Sequence, residues 1–247
     1  MLGLPDSIRA CLFDMDGVLT QTATVHATAW KVMFDAFLEQ RAKITGQPFV
    51  AFDAVRDYGA YVDGMPRADG VRTFLSARNI TLPEGGPDDP PATETINGLG
   101  NRKNELVLSL IQERGVTVFE GSVRYVQAVR AEGLSVAVVS SSANTVAILE
   151  AAGLAELFDV RIDGVVAAER GLPGKPRPDT FLAAADALGV EPQAAAVFED
   201  ALAGVEAGAA GGFGFVVGVD RIGQADGLRD RGAHVVVGDL AELLGSR

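Results

Sequence analysis

Short apolar runs alternate with helical patterns near residue 10 and again from about residue 118 onward. The runs are ACLF, LSVAVV, AAAVF, GFGFVVGV and AHVVV, and most of them are bounded by Gly, Asp or Ser. Continuous apolar runs of this length are typical of strands that are covered on both faces. We therefore predict that these runs form the strands of a buried parallel sheet.

Helical patterns lie between the apolar runs. They are SVRYVQAVRAEG, ANTVAILEAAG, PDTFLAAADALG and ALAGVEAGAAG, and each of them ends in Gly, a residue that commonly terminates helices. Regular alternation of strands and helices indicates an α/β fold. The fold class that we predict is a Rossmann-like, doubly wound parallel sheet.

The segment from 20 to 115 has a different pattern. Two stretches in it, QTATVHATAWKVMFDAFLEQ and NRKNELVLSLIQERG, are amphipathic helices by their spacing, and strands are hard to identify. We predict an α/β core domain made of 1–19 and 116–247, with an α-helical cap domain inserted at 20–115. Residues 82–100, LPEGGPDDPPATETINGLG, are rich in Pro, Gly and Asp, and we expect a flexible loop there, as a solvated connection rather than a lid.

Composition excludes several classes of partner. The chain of 247 residues has a formal net charge of −12, which argues against nucleic acid or an anionic membrane as its partner. No stretch approaches the roughly 20 apolar residues of a membrane span. Cys11 is the single cysteine, so an internal disulfide is excluded. Composition indicates an acidic α/β protein, which can still bind a small phosphate where a few cations converge. We expect it to be cytoplasmic and monomeric.

Polar side chains follow the apolar runs where ligands bind in open parallel sheets, at the carboxyl ends of the strands. Four separate segments contribute acids, hydroxyls and one amine to this edge, which core packing does not require. They supply Asp14 and Asp16 after ACLF, Ser140, Ser141 and Asn144 after LSVAVV, Lys175 in GKPRPD, and Glu199 and Asp200 after AAAVF.

These groups suit phosphoryl transfer. Asp14, Asp200 and Glu199 can form an oxygen site for Mg²⁺, and Lys175 and Ser140 can bind phosphate oxygens. A carboxylate can act as the covalent nucleophile, and a second acid nearby can exchange protons with the leaving and accepting oxygens. Each motif alone also fits a structural role, because Ser and Asp are common helix caps and most lysines are solvated. The occurrence of the full set, in this order, favours a catalytic site over these structural roles.

The four segments resemble the motifs of the haloacid dehalogenase superfamily. They read LFDMDGVLT, VVSSSAN, GKPRPDTF and VFEDALAGVEAG, and the insert is similar to the C1-type helical cap of that superfamily. The resemblance implies that Asp14 is the nucleophile, Asp16 the general acid and base, and Ser140 and Lys175 the phosphoryl-binding groups. It also implies that Mg²⁺ is held by Asp14, the Asp16 backbone carbonyl and Asp200, with Glu199 beside it.

The insert resembles the cap of the β-phosphoglucomutase subfamily in TATVHATAW, YVDGMPRADGV and NRKN. This resemblance implies that substrate contacts come from His26, Trp30, Arg67 and Lys103, with Ser141 and Asn144 on the core side, and that Arg67 binds the phosphate that is not transferred. The sequence departs from the subfamily pattern at Gly70, where a serine is usual, and at Ser141, where an alanine is usual.

The resemblance implies a Mg²⁺-dependent phosphomutase that converts β-glucose 1-phosphate to glucose 6-phosphate through an aspartyl-phosphate and a bisphosphate. The alternative is a phosphatase of the same fold that acts on a sugar phosphate or a similar metabolite. A third hypothesis, a non-catalytic binding protein, is disfavoured because Asp14, Asp16, Lys175 and Asp200 are all present.

Overall fold

The computed structural model describes residues 2–245 and divides the chain into two compact units. One unit combines the chain up to Gln21 with the chain from Val116 onward, and it contains the whole sheet. The other unit is Thr22–Gly115, which we call the helical insert. The segments by which the chain leaves and re-enters the first unit run antiparallel. Thr20 forms an isolated bridge with Val118, and the Gln21 amide donates to the Thr117 carbonyl at 2.8 Å.

The first unit is built on a six-stranded parallel sheet. Its strands are β1 (Ala10–Phe13), β2 (Ser135–Val139), β3 (Val160–Ile162), β4 (Ala195–Glu199), β5 (Phe215–Val219) and β6 (Val235–Val237). The order in the sheet is β3-β2-β1-β4-β5-β6, so the strand order reverses between β1 and β4. This confirms the predicted doubly wound α/β class, in which the crevice at the reversal point is the usual ligand site.

Helices connect the strands and make up the insert. In the insert they are α1 (Ala23–Thr45), α2 (Arg56–Tyr61), α3 (Arg67–Ala77) and α4 (Ile96–Arg114). In the first unit they are α5 (Glu120–Ala131), α6 (Thr145–Ala151), α7 (Gly164–Arg170), α8 (Asp179–Ala187), α9 (Leu202–Ala210) and α10 (Ala225–Asp230). Short 3-10 helices lie at Ala155–Leu157, Pro192–Ala194 and Leu240–Leu243.

The sheet is covered on both faces, as its continuous apolar strands require. On one face, Leu12 belongs to a buried cluster with Phe181 of α8 and Val205 of α9. On the other face, Phe13 stacks on Phe198 with ring centroids 4.4 Å apart, and Tyr125 of α5 packs against both rings. Successive residues of a strand point to opposite faces, so two separate layers of side chains hold β1 in place.

The helical insert has its own aromatic core. Phe34 of α1 is fully buried, with its ring centroid 5.2 Å from that of Trp30 and 4.2 Å from that of Phe74 in α3. Phe52, in the connection between α1 and α2, completes the cluster. The insert therefore buries a substantial apolar surface within itself.

The expectation of a flexible loop over 82–100 is wrong in its last part, because α4 already begins at Ile96. The Thr95 hydroxyl caps this helix by accepting from the Gly98 amide at 2.9 Å. The preceding residues are tied to the helix, since the Asn101 side chain donates to the Pro87 and Asp89 carbonyls at 2.9 Å each. Side-chain bonds to backbone carbonyls, which composition does not reveal, hold this segment in place.

Within the part of the chain that the structure describes, no helix is both long enough and apolar enough to cross a membrane.

The aromatic core of the insert generates a stability prediction. Phe34→Ala should lower the free energy of unfolding by about 3–5 kcal/mol, because it removes a fully buried ring and leaves a cavity. Phe49→Ala is the matched control, since that ring is 43% exposed, and it should cost no more than about 0.5 kcal/mol. Urea denaturation followed by circular dichroism measures both. Equal losses would contradict the assigned core.

Candidate active site

Asp14 lies directly after β1, at the point where the strand order reverses. Its amide donates to the Phe198 carbonyl of β4 at 2.9 Å, so the ladder of the sheet extends one residue beyond the strand and fixes the Asp14 backbone. The side chain is buried, with 6% of the residue exposed. A carboxylate in such a position needs a compensating charge close by.

Lys175 supplies that charge. Its Nζ lies 2.5 Å from Asp14 Oδ1, 2.5 Å from Glu199 Oε1 and 3.2 Å from the Val139 carbonyl oxygen. One ammonium group therefore contacts the carboxyl ends of β1, β2 and β4 together. Three donor hydrogens meet three acceptors, so its hydrogen-bonding capacity is matched.

Burial and charge act in opposite directions on these groups. Burial alone would lower the pKa of Lys175, but the adjacent Asp14 and Glu199 carboxylates raise it above its usual value. Burial raises the pKa of the Asp14 carboxyl, and Lys175 opposes that change. The positive charge of Lys175 is therefore favoured in the folded protein, and burial makes the negative charge of Asp14 depend on the cations around it.

Glu199 orients Lys175. The side chain is fully buried, and its second oxygen, Oε2, accepts from the Ala201 amide at 3.0 Å. The carboxylate lies against Gly204 of α9, where a methyl group would overlap it. With one oxygen on Lys175 and the other on Ala201, Glu199 serves to position the ammonium group.

Asp200 lies against the segment that follows β1. We call residues 14–20 the Asp loop. Gly17 of this loop has a left-handed φ of 89°, and a methyl group at Gly17 would overlap the Asp200 carboxylate. The Asp loop and Asp200 can approach this closely only because residue 17 is glycine. The conformation of the Asp loop therefore allows the Asp200 carboxylate to lie close to the Asp14 carboxylate.

The acids have the composition of a divalent-cation site. Asp14, Glu199 and Asp200 each offer a carboxylate oxygen, and these three oxygens lie within 4.8 Å of one another. Hard oxygen donors suit Mg²⁺, which takes one or two carboxylates and completes its shell with water and substrate oxygens. Both Glu199 oxygens already accept from protein donors, Lys175 and the Ala201 amide, so Glu199 would bind a metal only in addition to these contacts.

Asp16 is half-buried within the Asp loop. Two backbone hydrogen bonds to Thr20 close the loop. The Gly17 amide donates to the Thr20 carbonyl at 2.7 Å, and the Thr20 amide donates to the Met15 carbonyl at 3.0 Å. Asp16 therefore projects from a tightly closed turn, two residues beyond Asp14.

The residues after β2 form the next part of the same edge. Ser140 is buried, and its hydroxyl accepts from the Ser142 amide at 3.1 Å. Ser141 is half-buried, and Asn144 is the N-cap residue of α6. The register of β2 on β1 pairs Val138 with Phe13, so Ser140 and Asp14 follow neighbouring strands at the same end.

The loop from Asp220 to Gln224, between β5 and α10, touches both acidic segments, and the sequence reasoning missed it. Arg221 Nε donates to the Gly17 carbonyl at 2.7 Å, and Gln224 Nε2 donates to the Asp200 carbonyl at 2.9 Å. Its position after an apolar run was the available clue, because the same criterion identified the other site segments.

In the helical insert, three of the predicted site residues form one cluster. Lys103 of α4 is buried, and its Nζ lies 2.7 Å from Nδ1 of His26 in α1. The same ammonium group lies over the ring of Trp30, 4.8 Å from the centroid. An ammonium group on an indole face is a favourable cation–π contact, so this cluster holds a positive charge away from bulk water.

Arg67 begins α3 and lies beside α4. Its Cγ would be 3.1 Å from a methyl group on Gly100, one turn before Lys103, so the side chain packs closely on that helix. Burial lowers the pKa of the guanidinium, and among residues 2–245 no carboxylate pairs with it. A half-buried arginine of this kind is available to an anion.

The contact between Gly17 and Asp200 generates a prediction on metal binding. Gly17→Ala should weaken Mg²⁺ binding about tenfold or more, because the new methyl group displaces the Asp200 carboxylate. Gly46→Ala is the matched control, since Gly46 has a similar φ of 70° but no atom within 4 Å of the added methyl group. Calorimetric titration with Mg²⁺ measures both variants. Unchanged affinity in a folded Gly17→Ala protein would contradict this account of the site.

Comparison with known proteins places these features in a family. The family model of haloacid dehalogenase-like hydrolases matches residues 8–212. The chain is 59% identical over 247 residues to a β-phosphoglucomutase of Mycobacterium bovis, a match that covers 99% of this chain and 94% of that protein. It is 31% identical to a Bacillus subtilis β-phosphoglucomutase, which covers 96% of this chain and 92% of that protein. A solved β-phosphoglucomutase structure from Clostridium difficile superposes with a TM-score of 0.74 at 26% identity, covering 96% of this chain and 93% of that one. The chain belongs to the haloacid dehalogenase-like hydrolase family.

Proposed function

We propose that this protein is a β-phosphoglucomutase that interconverts β-D-glucose 1-phosphate and glucose 6-phosphate. The observation that carries the proposal is the 59% identity, over nearly the whole of both chains, to a protein of that name. The site supports it, because a buried carboxylate beside a buried ammonium group and a second acid are the groups that phosphoryl transfer through an enzyme carboxylate needs.

The proposed reaction begins at Asp14. A carboxylate oxygen of Asp14 forms a bond to phosphorus as the bond between phosphorus and the donor oxygen breaks, and Asp16 gives a proton to that leaving oxygen. In the second half, Asp16 takes the proton of a sugar hydroxyl, and that hydroxyl oxygen takes the phosphoryl group from Asp14. When the donor is the 1-phosphoryl group of the 1,6-bisphosphate, the first half releases glucose 6-phosphate. When the acceptor is the 6-hydroxyl group of β-glucose 1-phosphate, the second half forms the bisphosphate again, so the sum converts β-glucose 1-phosphate to glucose 6-phosphate.

The surrounding residues are proposed to neutralise the charge of the phosphoryl group and to orient it toward Asp14. Lys175 keeps the Asp14 carboxylate in place through the 2.5 Å contact and offsets the charge of the phosphoryl group. Ser140 and Asn144, with Ser141 beside them, are the groups proposed to bind phosphoryl oxygens. We propose Mg²⁺ as the cation of Asp14, Asp200 and the Asp16 carbonyl, where it supplies positive charge to the transferring group.

The remaining proposed contacts come from the insert. A mutase must bind a second phosphate while its bisphosphate intermediate reverses orientation, whereas a simple phosphatase needs one site. We propose Arg67 for that second phosphate, because it is half-buried and has no carboxylate partner among the described residues. His26, Trp30 and Lys103 are proposed to contact the sugar.

Phosphorus NMR tests the proposed function directly. With β-glucose 1-phosphate, Mg²⁺ and a trace of the 1,6-bisphosphate, we expect glucose 6-phosphate to accumulate without matching release of inorganic phosphate. Asp14→Asn should reduce turnover at least about a thousandfold, because it removes the nucleophile. Asp226→Asn is the control, since that side chain is 98% exposed. Release of inorganic phosphate without glucose 6-phosphate would establish the phosphatase alternative.

The role of Arg67 has its own test. Arg67→Ala should raise the KM for the bisphosphate about 10- to 100-fold, because a cation is lost from the second phosphate site. Formation of the phosphoenzyme from acetyl phosphate, which has one phosphate, should change by less than about threefold. Arg72→Ala on the same helix is the control, since Arg72 is committed to exposed ion pairs with Asp69 and Glu84. Equal effects on both reactions would refute the assignment.

A further inference from the structure

Arg221 holds the backbone of the Asp loop. Its Nε donates to the Gly17 carbonyl at 2.7 Å, its Nη1 to the Gly238 carbonyl at 2.7 Å, and its Nη2 to the Val18 carbonyl at 3.5 Å. The guanidinium carbon lies 3.5 Å from the centroid of the Phe119 ring. The side chain is 16% exposed, so its contacts with the protein occupy most of its surface.

These contacts join three segments that are distant in sequence. Gly17 and Val18 belong to the Asp loop, Gly238 follows β6, and Phe119 lies where the chain re-enters the first unit before α5. The Phe119 amide donates to the Leu19 carbonyl at 2.9 Å, so the ring beneath Arg221 is itself tied to the Asp loop. Arg221 therefore fastens the outgoing and the returning chain to the sheet.

The loop that carries Arg221 is internally fixed. Asp220 Oδ1 accepts from the amides of Ile222, Gly223 and Gln224 at 3.3, 2.7 and 2.8 Å. The Asp220 amide donates to the Val237 carbonyl of β6 at 2.8 Å, which anchors the loop to the sheet. Gln224 reaches the Asp200 carbonyl from the same loop. One rigid loop thus sets the separation between the two acidic segments.

Asp16 is the side chain that this arrangement controls. Asp16 precedes Gly17, whose amide is held by the Thr20 carbonyl and whose carbonyl is held by Arg221. Because both peptide groups of Gly17 are restrained, the direction in which Asp16 leaves the backbone is restrained as well. Asp14 does not depend on Arg221 in this way, since the Phe198 carbonyl and Lys175 hold it.

We propose that Arg221 is a positioning residue for proton transfer, which acts by holding the Asp loop so that Asp16 meets the donor and acceptor oxygens of the sugar. The inference rests on the proposed function, because it requires Asp16 to be the general acid and base. Its consequence is selective. Steps in which a sugar oxygen gains or loses a proton depend on Arg221. Steps that need no proton depend on it less, because the Asp16 carbonyl proposed for Mg²⁺ belongs to the peptide group whose Gly17 amide is held by the Thr20 carbonyl.

Acetyl phosphate separates the two kinds of step. Attack of Asp14 on acetyl phosphate forms the bond between Asp14 and phosphorus and releases acetate, a carboxylate that needs no proton. Transfer from the phosphoenzyme to a sugar hydroxyl requires that the hydroxyl proton be taken. Rapid-quench measurement of phosphoenzyme formation therefore reports on Asp14 and Lys175, and steady-state mutase turnover reports on Asp16 as well.

The experiment compares the variants Arg221→Met and Arg221→Lys with the unsubstituted protein. We expect Arg221→Met to lower mutase kcat about 10- to 100-fold with little change in KM, since a small misplacement of a catalytic group costs this much. Phosphoenzyme formation from acetyl phosphate should stay within about threefold. Arg221→Lys should recover part of kcat, because it keeps the charge but cannot reach all three carbonyls. Arg229→Met is the control, since Arg229 makes an exposed ion pair with Asp226.

Asp16→Asn serves as the reference variant. If Asp16→Asn lowers turnover but spares phosphoenzyme formation, the proposed role of Asp16 stands, and Arg221→Met must show the same selectivity in weaker form. Equal losses in both reactions for Arg221→Met, or no loss in either, would overturn the inference about Arg221. If Asp16→Asn itself lacks the selectivity, the proposed function of Asp16 fails, and the inference fails with it.

Discussion

The buried ammonium group of Lys175 is the interaction on which the site depends. Two acids, Asp14 and Glu199, end adjacent strands of the sheet and are withdrawn from water. Two carboxylates at such a short distance repel each other, and each loses its hydration on burial. Lys175 contacts both and also caps β2 through the Val139 carbonyl. Loss of one partner from a buried ion pair typically costs about 3–5 kcal/mol, because the other charge is left uncompensated.

Glycines let the charged groups approach the backbone around them. Gly17 admits the Asp200 carboxylate, and Gly204 admits the Glu199 carboxylate, in each case where a methyl group would overlap an oxygen. The residue types in LFDMDGVLT and VFEDALAGVEAG therefore have a common steric reason. Acids are brought to one point, and the neighbouring positions carry no side chain. The same short segments therefore supply the acids of the site and the glycines that leave space for them.

The sequence predicts the sheet well, because the sheet depends on local patterns. Continuous apolar runs predicted β1, β2, β4, β5 and β6, and acids that follow β1 or end β4 lie with Lys175 at one edge of the sheet. The sheet edge β3 was missed because it is only three residues long and places the exposed Arg161 in its centre. The start of α4 at Ile96 was missed because residues 82–100 are rich in Pro, Gly and Asp. Composition also does not reveal that the side chains of Asn97, Asn101 and Arg102 donate to backbone carbonyls of the preceding residues.

Arg221 illustrates what a sequence pattern cannot give. It lies 204 positions from Gly17 along the chain, and nothing in its neighbours reveals the carbonyls that it reaches. Only the parallel sheet, which brings the end of β5 near the end of β1 across β4, makes the contact possible. The position of its loop after an apolar run points to the same edge of the sheet, but no local motif identifies the backbone carbonyls that Arg221 contacts.

Trp30 is the single tryptophan of the chain, and it lies beneath the Lys103 ammonium group. All of the protein's indole fluorescence therefore originates at one place in the insert, in the electric field of a cation that also contacts His26. A ligand that draws Lys103 away from the ring changes that field, and the emission changes with it. The protein thus carries a built-in optical probe of this charge, readable in solution without a label.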